Sequence, residues 1–519
     1  MIRLSSIFIS MILGAVILTA QIPPVIRWQK TFGGSDREWI HSVIPSKLDN
    51  GYFLIIRTFS KDYDFDFMEE GQRICILKLD EKGDILWKRP LWLGGAVELA
   101  GRGIVTSDNK LLLSCLVKQE NTLADFDSWI IMMNMEGEIE WQRVLGGSFD
   151  DSIGVVYETP DGNFIFVGHA RSNDGTPAYN NGLSDGWIVK MNKEGRILSS
   201  RVYGGATSKS FGAIAPTEGG YLVHGSINYT LTGGYETIPG NKIDLMLTKI
   251  DENLDIVWQK VYGGSNEELW ATIDRKENGN FIISSETFST EVGIGNPLMG
   301  GGLWIYEVDE EGEIIWDLLT LEGLSRGDII ELKSQEEELL LLGNTSRKEE
   351  HKIMDGQYGE RDVYLASLDQ TGKMNWIVNY GGTDNDRAGQ IICLDNNDYL
   401  IFGNTYSNDV DIDENKGESD IWIVYLETPS QIAEEGQCQF KVATNGNQLF
   451  LRFEESFLEP VEILVYDVAG KLVYHDEFSQ MRQLNMEIDL PNPLPIGQYF
   501  ASIRCVGGQT TVPFFYSIQ

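Results

Sequence analysis

Two short segments of the chain carry an aspartate at every second position. They read SKDYDFD at residues 60–66 and SNDVDID at residues 407–413. Alternating carboxylates put three hard oxygen ligands on one side of a loop, an arrangement that suits Ca²⁺. The sequence therefore predicts one or two calcium sites, with ordinary solvated acidic loops as the open alternative. The candidate ligands are Asp62, Asp64, Asp66, Asp409, Asp411 and Asp413.

A second set of carboxylates follows glycine pairs at one fixed offset. Its members are Glu38, Asp151, Glu268 and Asp386. If the glycine pairs lie at one end of a ring of repeats, these side chains would gather at the mouth of a central channel and bind a ligand there. The alternative is that each carboxylate accepts N–H bonds within its own turn, as acidic side chains in loops often do.

The elements that must position these residues form an internal repeat. Its marker is a glycine pair, or a single remaining glycine, at intervals of 52 to 61 residues. A regular period of this length is the signature of a repeat architecture. The markers begin at Gly33, Gly94, Gly146, Gly204, Gly263, Gly323 and Gly381.

Each repeat predicts four short strands. In the third repeat the apolar runs 153–157, 164–168, 187–191 and 197–203 are separated by turn sequences such as PDGN and NKEG. Short apolar runs bounded by such turns are typical of antiparallel hairpins. Four antiparallel strands repeated radially make a β-propeller blade.

The count of strands predicts how the ring closes. Six repeats are complete, and the seventh, from Gly381 to about Tyr425, lacks its fourth strand. The segment IRWQKTFGG near the N-terminus matches the fourth-strand sequences VWQKVYGG and EWQRVLGG. The predicted fold is therefore all-β, a seven-bladed propeller in which the N-terminal strand completes the last blade and leaves no open sheet edge.

Tryptophans recur with the same period. They begin predicted fourth strands at six positions and third strands at four. Sugar stacking is one interpretation of such exposed rings. Packing of one blade against the next is the favoured one, because a buried Trp contributes a large apolar area.

The third repeat carries GGSFDDSIG, TPDGNFIFVG, RSNDG and SDGWIVKMNKEG. On these motifs the repeats resemble a family of exported propeller proteins common in Bacteroidetes. The resemblance covers about residues 25–426 and implies the fold, while it implies little about chemistry.

Residues 437–519 lack the repeat and carry VYDVAGKLVY followed by LPIGQYFASI. This segment resembles the type A C-terminal sorting domain of the type IX secretion system, on Asp467, Gly470, Lys471, Leu494, Gly497 and Tyr499. The resemblance implies contact with that secretion machinery. About seven alternating strands predict a small immunoglobulin-like β-sandwich. A polar linker at 427–436 is expected to separate it from the propeller at 21–426.

The N-terminus predicts export. Arg3, an apolar run at 7–18 and Thr19-Ala20 form the pattern of a signal peptide, residues 1–20. The run is too short for a membrane span, so no transmembrane segment is expected in the mature chain. Five cysteines form no metal-ligand spacing, and Cys438 and Cys505 are candidates for a disulfide. The expected location is secreted or on the outer-membrane surface.

Charge and motifs limit the function. A net charge of −37 argues against nucleic acid as a partner, because a phosphate backbone needs a basic surface. The five histidines are scattered along the sequence, and none has a recognisable Ser or Cys partner. The leading hypothesis is a non-catalytic binding module for an extracellular glycan or protein, and no cofactor beyond calcium is predicted. A secreted polysaccharide hydrolase and a purely structural surface protein are the alternatives.

Overall fold

The computed structural model describes residues 23–46, 48–70, 73–93, 97–118, 126–180, 183–205, 207–228, 243–289, 302–319, 329–335, 338–345, 359, 361–394, 397–428, 440–445, 448–453, 461–467, 471–478, 485–490, 494, 497–505 and 508–516. The predicted signal peptide, Cys438 and most of the predicted linker lie outside these residues, as do Gly94, Gly323 and Gly470. Within them, no helix is long and apolar enough to span a bilayer.

Strands dominate the described residues, and every strand pair is antiparallel. Strand β1 is Val25–Phe32. Sheet 1 contains β2 to β5, at Glu38–Pro45, Tyr52–Thr58, Ile74–Leu79 and Ile85–Leu91. Sheet 2 contains β6 to β9, at Val97–Val105, Leu111–Lys118, Phe126–Met133 and Ile139–Leu145. Sheet 3 contains β10 to β13, at Asp151–Glu158, Phe164–Ala170, Asp185–Met191 and Ile197–Tyr203.

Four further sheets repeat the pattern. Sheet 4 contains β14 to β17, at Ser208–Thr217, Gly220–Asn228, Ile243–Asp251 and Ile256–Tyr262. Sheet 5 contains β18 to β21, at Glu268–Arg275, Phe281–Thr287, Gly302–Val308 and Ile314–Leu319. Sheet 6 contains β22 to β25, at Ile329–Ser334, Glu338–Asn344, Val363–Asp369 and Met374–Tyr380. Sheet 7 contains β26 to β28, at Asp386–Cys393, Tyr399–Thr405 and Asp420–Glu427, together with β1.

Sheet 7 joins the two ends of the repeat region. Strand β1 pairs with β28, with Gln29 opposite Val424 and Phe32 opposite Ile421. The first strands of successive sheets contact one another from β2 through β6, β10, β14, β18 and β22 to β26, and β26 contacts β2. The all-β, propeller-type class predicted from the sequence is therefore confirmed.

The fourth-strand tryptophans pack one sheet against the next, as predicted. Trp87 of sheet 1 donates its indole N–H to the Met135 carbonyl in sheet 2, at 3.2 Å. Its ring covers Gly137, which has a φ of 80° in the third turn of sheet 2. Glycine supplies both the left-handed backbone and the room for the ring there. Trp28 of β1 makes the equivalent contact with Gly83 of sheet 1.

Seven more strands follow in two sheets. One contains β29, β30 and β33, at Phe440–Asn445, Gln448–Phe453 and Asn485–Asp489. The other contains β31, β32, β34 and β35, at Val461–Asp467, Leu472–Phe478, Gly497–Cys505 and Gly508–Tyr516. A shared apolar core that includes Leu451, Val465 and Ile503 holds the two sheets together.

Candidate functional site: the glycine-pair face

The described glycine-pair turns lie on one face together with the described loops between second and third strands, which belong to sheets 1, 3 and 7. In sheets 7 and 1 four successive backbone N–H groups of the turn all donate to side chains of the same face. The donor and acceptor pairs are Gly33 N to Asp64 Oδ2 (3.0 Å), Gly34 N to Glu38 Oε2 (3.0 Å), Ser35 N to Asp62 Oδ1 (2.8 Å) and Asp36 N to Ser60 Oγ (2.9 Å). Converging N–H groups of this kind make an anion-binding concavity.

The turn between sheets 6 and 7 repeats this arrangement. Its pairs are Gly381 N to Asp411 Oδ2 (3.1 Å), Gly382 N to Asp386 Oδ2 (2.6 Å), Thr383 N to Asp409 Oδ1 (2.8 Å) and Asp384 N to Ser407 Oγ (3.0 Å). The alternating aspartates therefore match alternate N–H groups of the neighbouring turn. This match gives a structural reason for their spacing that needs no metal.

Five of the six predicted calcium ligands are engaged with protein groups. Asp64 also accepts a bond from the ammonium of Lys416 at 2.8 Å, and Asp66 lies 3.6 Å from Lys88 Nζ. Among the described residues, no group of three or more His, Cys, Asp or Glu side chains is arranged to hold a metal ion. Asp413, the sixth predicted calcium ligand, lies exposed in its loop. The geometry does not support the calcium hypothesis, which stays an untested prediction.

The four carboxylates predicted at a channel mouth lie beneath the loops. Glu38, Asp151, Glu268 and Asp386 are fully buried. Glu38 accepts a bond from the Thr58 hydroxyl at 2.7 Å in addition to the bond from Gly34. Burial raises the pKa values of Glu38, Glu268 and Asp386 against the lowering effect of these bonds. This environment favours the role of turn acceptor over that of a surface ligand.

The aspartates at the start of third strands explain the first glycine of each pair. A Cβ added to Gly33 would overlap with the carboxylate of Asp420, and one added to Gly146 would overlap with that of Asp127. The Asp420 carboxylate accepts the N–H of Lys416 at 2.9 Å. Through this bond Asp420 caps the end of the loop that leads into β28.

Sequence reasoning missed two exposed side chains at the centre of the acidic loops. Tyr63 is 64% exposed and Val410 is 39% exposed. Their φ angles are 48° and 60°, in the left-handed region that favours glycine. The equivalent position of the third repeat is Gly175, with a φ of 70°. Aligning the three loops at Ser60, Ser172 and Ser407 would have revealed this exchange of glycine for larger residues.

The acidic loops of sheets 1 and 7, which carry Tyr63 and Val410, are joined by direct contacts. Arg37 forms an isolated bridge with Ser419, and its guanidinium lies 2.9 Å from Glu418. Ser419 accepts the N–H of Glu38 at 2.9 Å. Together with the Asp64–Lys416 pair, these contacts hold the two acidic loops next to each other.

Comparisons with known proteins add little. No family model matches the chain, and no curated protein matches it. Among solved structures, the plexin A4 extracellular region is 8% identical, with a TM-score of 0.48, and the match covers 95% of this chain and 67% of that one. Drosophila semaphorin 1a, domains 1–2, is 9% identical, with a TM-score of 0.43 and coverage of 78% and 88%.

The N-terminal part of BBS1, solved in complex with ARL6, is also 9% identical. Its TM-score is 0.42, and the match covers 79% of this chain and 99% of that one. All three scores lie below 0.5 and carry no argument about this chain. The fold assignment therefore rests on the sheet topology, and the function on the glycine-pair face.

Proposed function

We propose that the chain is an exported, non-catalytic binding module, a seven-bladed propeller whose glycine-pair face binds an extracellular glycan or protein. Two observations support the blade count. Sheets 1 to 7 each have four strands, and their first strands contact one another in a closed cycle. The pairing of β1 with β28 supports closure by the N-terminal strand.

One observation carries the binding role. Tyr63 and Val410 are exposed and occupy left-handed backbone positions at the two joined loops. The left-handed conformation costs a residue with a Cβ about 1–2 kcal/mol, a cost that glycine avoids. Gly175 shows that the loop can be built with glycine. The presence of Tyr63 and Val410 where glycine would be less strained indicates that these side chains are selected for contact with a partner.

The chemistry of the face suits a neutral or weakly polar partner. An exposed tyrosine ring offers an apolar surface with one hydroxyl, a combination common in protein-recognition sites. The carboxylates below it are occupied by backbone N–H groups, as described for Glu38 and Asp386. This occupation disfavours the alternative of a hydrolase, which needs two carboxyl groups that reach the substrate.

The binding role is tested with glycan and protein arrays. We expect the purified chain to bind one class of ligand and a Tyr63→Gly/Val410→Gly variant to lose that binding. The same variant should raise the free energy of unfolding by about 1 kcal/mol per site, because the relief of left-handed strain exceeds the entropy that glycine adds to the unfolded chain. Leu86→Ser is the matched control, since Leu86 is 56% exposed on the outer strand β5. Unchanged binding by the double variant contradicts the role, and release of reducing ends from a polysaccharide favours the hydrolase.

The C-terminal sheets are proposed as an immunoglobulin-like sorting domain that directs type IX secretion to the medium or the cell surface. The turn after β31 supports this assignment, since Lys471 donates its N–H to Asp467 at 2.9 Å. Tyr499 is buried in the same core as Leu494. In a bacterium with the type IX machinery, we expect the full chain outside the cell and a chain ending at residue 436 in the periplasm. Equal export of both chains contradicts this proposal.

A further inference from the structure

Carboxyl groups of neighbouring sheets meet beneath the first glycine of three glycine pairs. One comes from the start of a third strand, and the other from the start of the next sheet's first strand. All six side chains are buried, none more than 4% exposed. The pairs with this contact are Asp420 with Glu38 at Gly33, Asp244 with Glu268 at Gly263, and Asp362 with Asp386 at Gly381. Asp127 and Asp151, both buried, occupy the same two positions at Gly146.

The pair at Gly263 shows the contact most directly. A Cβ on this glycine would lie 2.5 Å from Oδ1 of Asp244 and would overlap with Oε2 of Glu268. Burial, and to a smaller extent the carboxyl group of Asp244, raises the pKa of Glu268. Two buried carboxyl groups that share one site favour retention of a proton by one of them. The junction between sheets 4 and 5 therefore has the geometry that favours a shared proton.

The pair at Gly33 lies where sheet 7 meets sheet 1. Oδ1 of Asp420 is buried and accepts no hydrogen bond from the described residues, while Oδ2 accepts the Lys416 N–H. Burial, followed by the charge of Glu38, raises the pKa of Asp420 to about 6. The charges of Lys416 and Asp64 also face Asp420, with opposite effects. The nearby ammonium is already bound to Asp64 at 2.8 Å.

The junction between sheets 3 and 4 provides an internal contrast. Asp185 lies against Gly204 there, but the position equivalent to Glu38 and Glu268 is Lys209. The charge of Asp185 raises the pKa of this lysine, although burial lowers it more. An amine opposite a carboxylate needs no shared proton, so this junction lacks the like-charge repulsion of the three acid pairs.

We propose that the three inter-sheet carboxyl pairs make the ring a pH-sensitive structure. Each pair holds one proton, and loss of that proton loosens the junction between neighbouring sheets on the glycine-pair face. Like charges brought together in a buried site favour retention of one proton. When the proton leaves, two buried carboxylates repel each other across the sheet boundary. The device is independent of any ligand and of the binding role.

The direction of the pH effect follows from the raised pKa values. The folded chain binds these protons more tightly than the unfolded chain does, so stability is greatest at low pH and falls as pH rises through the folded-state pKa. For Asp420, a folded pKa of about 6 against 3.8 corresponds to a roughly tenfold larger folding equilibrium constant at pH 5 than at pH 7.5. Glu268 and Asp386 act in the same direction.

The test is urea unfolding of the full chain at pH 5 and pH 7.5 at constant ionic strength. Asp420→Asn should lower the ratio of the two folding constants by about tenfold, and Glu268→Gln should lower it as well. Asp413→Asn and Glu136→Gln, which each remove an exposed negative charge away from the carboxyl pairs, are the matched controls for the net charge of the chain. The proposal is overturned if the pair variants and the controls show the same pH ratio.

A gain-of-function variant keeps the test independent of any folding defect. Lys209→Glu places a further acid pair at Asp185 and should increase the pH ratio beyond that of the unchanged chain. In the unchanged chain, the amides of Gly34, Ser35 and Asp36 should exchange more slowly at pH 5 than at pH 7.5 after correction for intrinsic rates. An unaltered ratio for Lys209→Glu, or equal protection of these amides at both pH values, refutes the proposal.

Discussion

Replacing Gly34 by alanine should destabilise the ring, because Gly34, the second glycine of its pair, has no room for a methyl group. A Cβ on Gly34 would overlap with Cβ of Ser60 and lie 2.5 Å from its Oγ and 2.8 Å from Oδ1 of Asp62. The turn must move away, and this movement breaks the buried bond from Gly34 N to Glu38.

The size of the effect can be estimated from these contacts. A buried hydrogen bond to a charged group contributes about 1.5–3 kcal/mol. The steric overlap adds about 1–3 kcal/mol. Alanine also reduces the conformational entropy of the unfolded chain, which stabilises the fold by about 0.4–1 kcal/mol. The expected net loss of unfolding free energy for Gly34→Ala is therefore about 3 kcal/mol.

The chain offers a matched control at the same position of another repeat. Gly205 is the second glycine of its pair, and a Cβ added there would meet nothing within 4 Å. Gly205→Ala should leave stability unchanged or raise it by about 0.4–1 kcal/mol. All 13 tryptophans lie between Trp28 and Trp422, so their fluorescence in urea reports on the propeller region alone. Equal effects of the two substitutions would refute the packing argument.

Two further predictions concern ring closure and calcium. Trp28→Ala should lower the unfolding free energy by about 2–4 kcal/mol, because the indole stacks on Tyr425 with ring centroids 5.4 Å apart and covers Gly83 of sheet 1. A loss below about 0.5 kcal/mol in urea unfolding would mean that β1 does not hold the ring. Millimolar Ca²⁺ should leave the midpoint of thermal unfolding unchanged, because Asp64 already accepts bonds from Gly33 and Lys416. A rise in the midpoint that Asp64→Asn abolishes would instead show that calcium binds at this loop.

The strands of the repeat could be predicted closely from the sequence. In the third repeat the predicted run 197–203 coincides with β13, and the run 164–168 lies within β11. Local signals sufficed there, because apolar runs and glycine turns are set by nearby residues. Closure by β1 was also predictable, since its sequence matches the other fourth strands.

The chemistry of the acidic loops could not be predicted in the same way. The alternating pattern of Asp62 and Asp64 is equally suited to metal ligands and to N–H acceptors. Their true partners, Ser35 and Gly33, are 27 and 31 residues away and depend on how two loops meet. The pairing of Asp420 with residues near position 38 exists only after the ring has closed, so no local pattern reveals it.

The most direct test of the account is native-state hydrogen exchange on β1, because the closing strand joins the two ends of the ring and creates the joined loops of the glycine-pair face. Gln29, Lys30 and Thr31 lie opposite Val424, Ile423 and Trp422. We expect the paired amides of the two strands to exchange together, at the slow rate of global unfolding of the ring. Exchange of the β1 amides at the fast rate of a frayed terminus, with β28 still protected, would contradict ring closure.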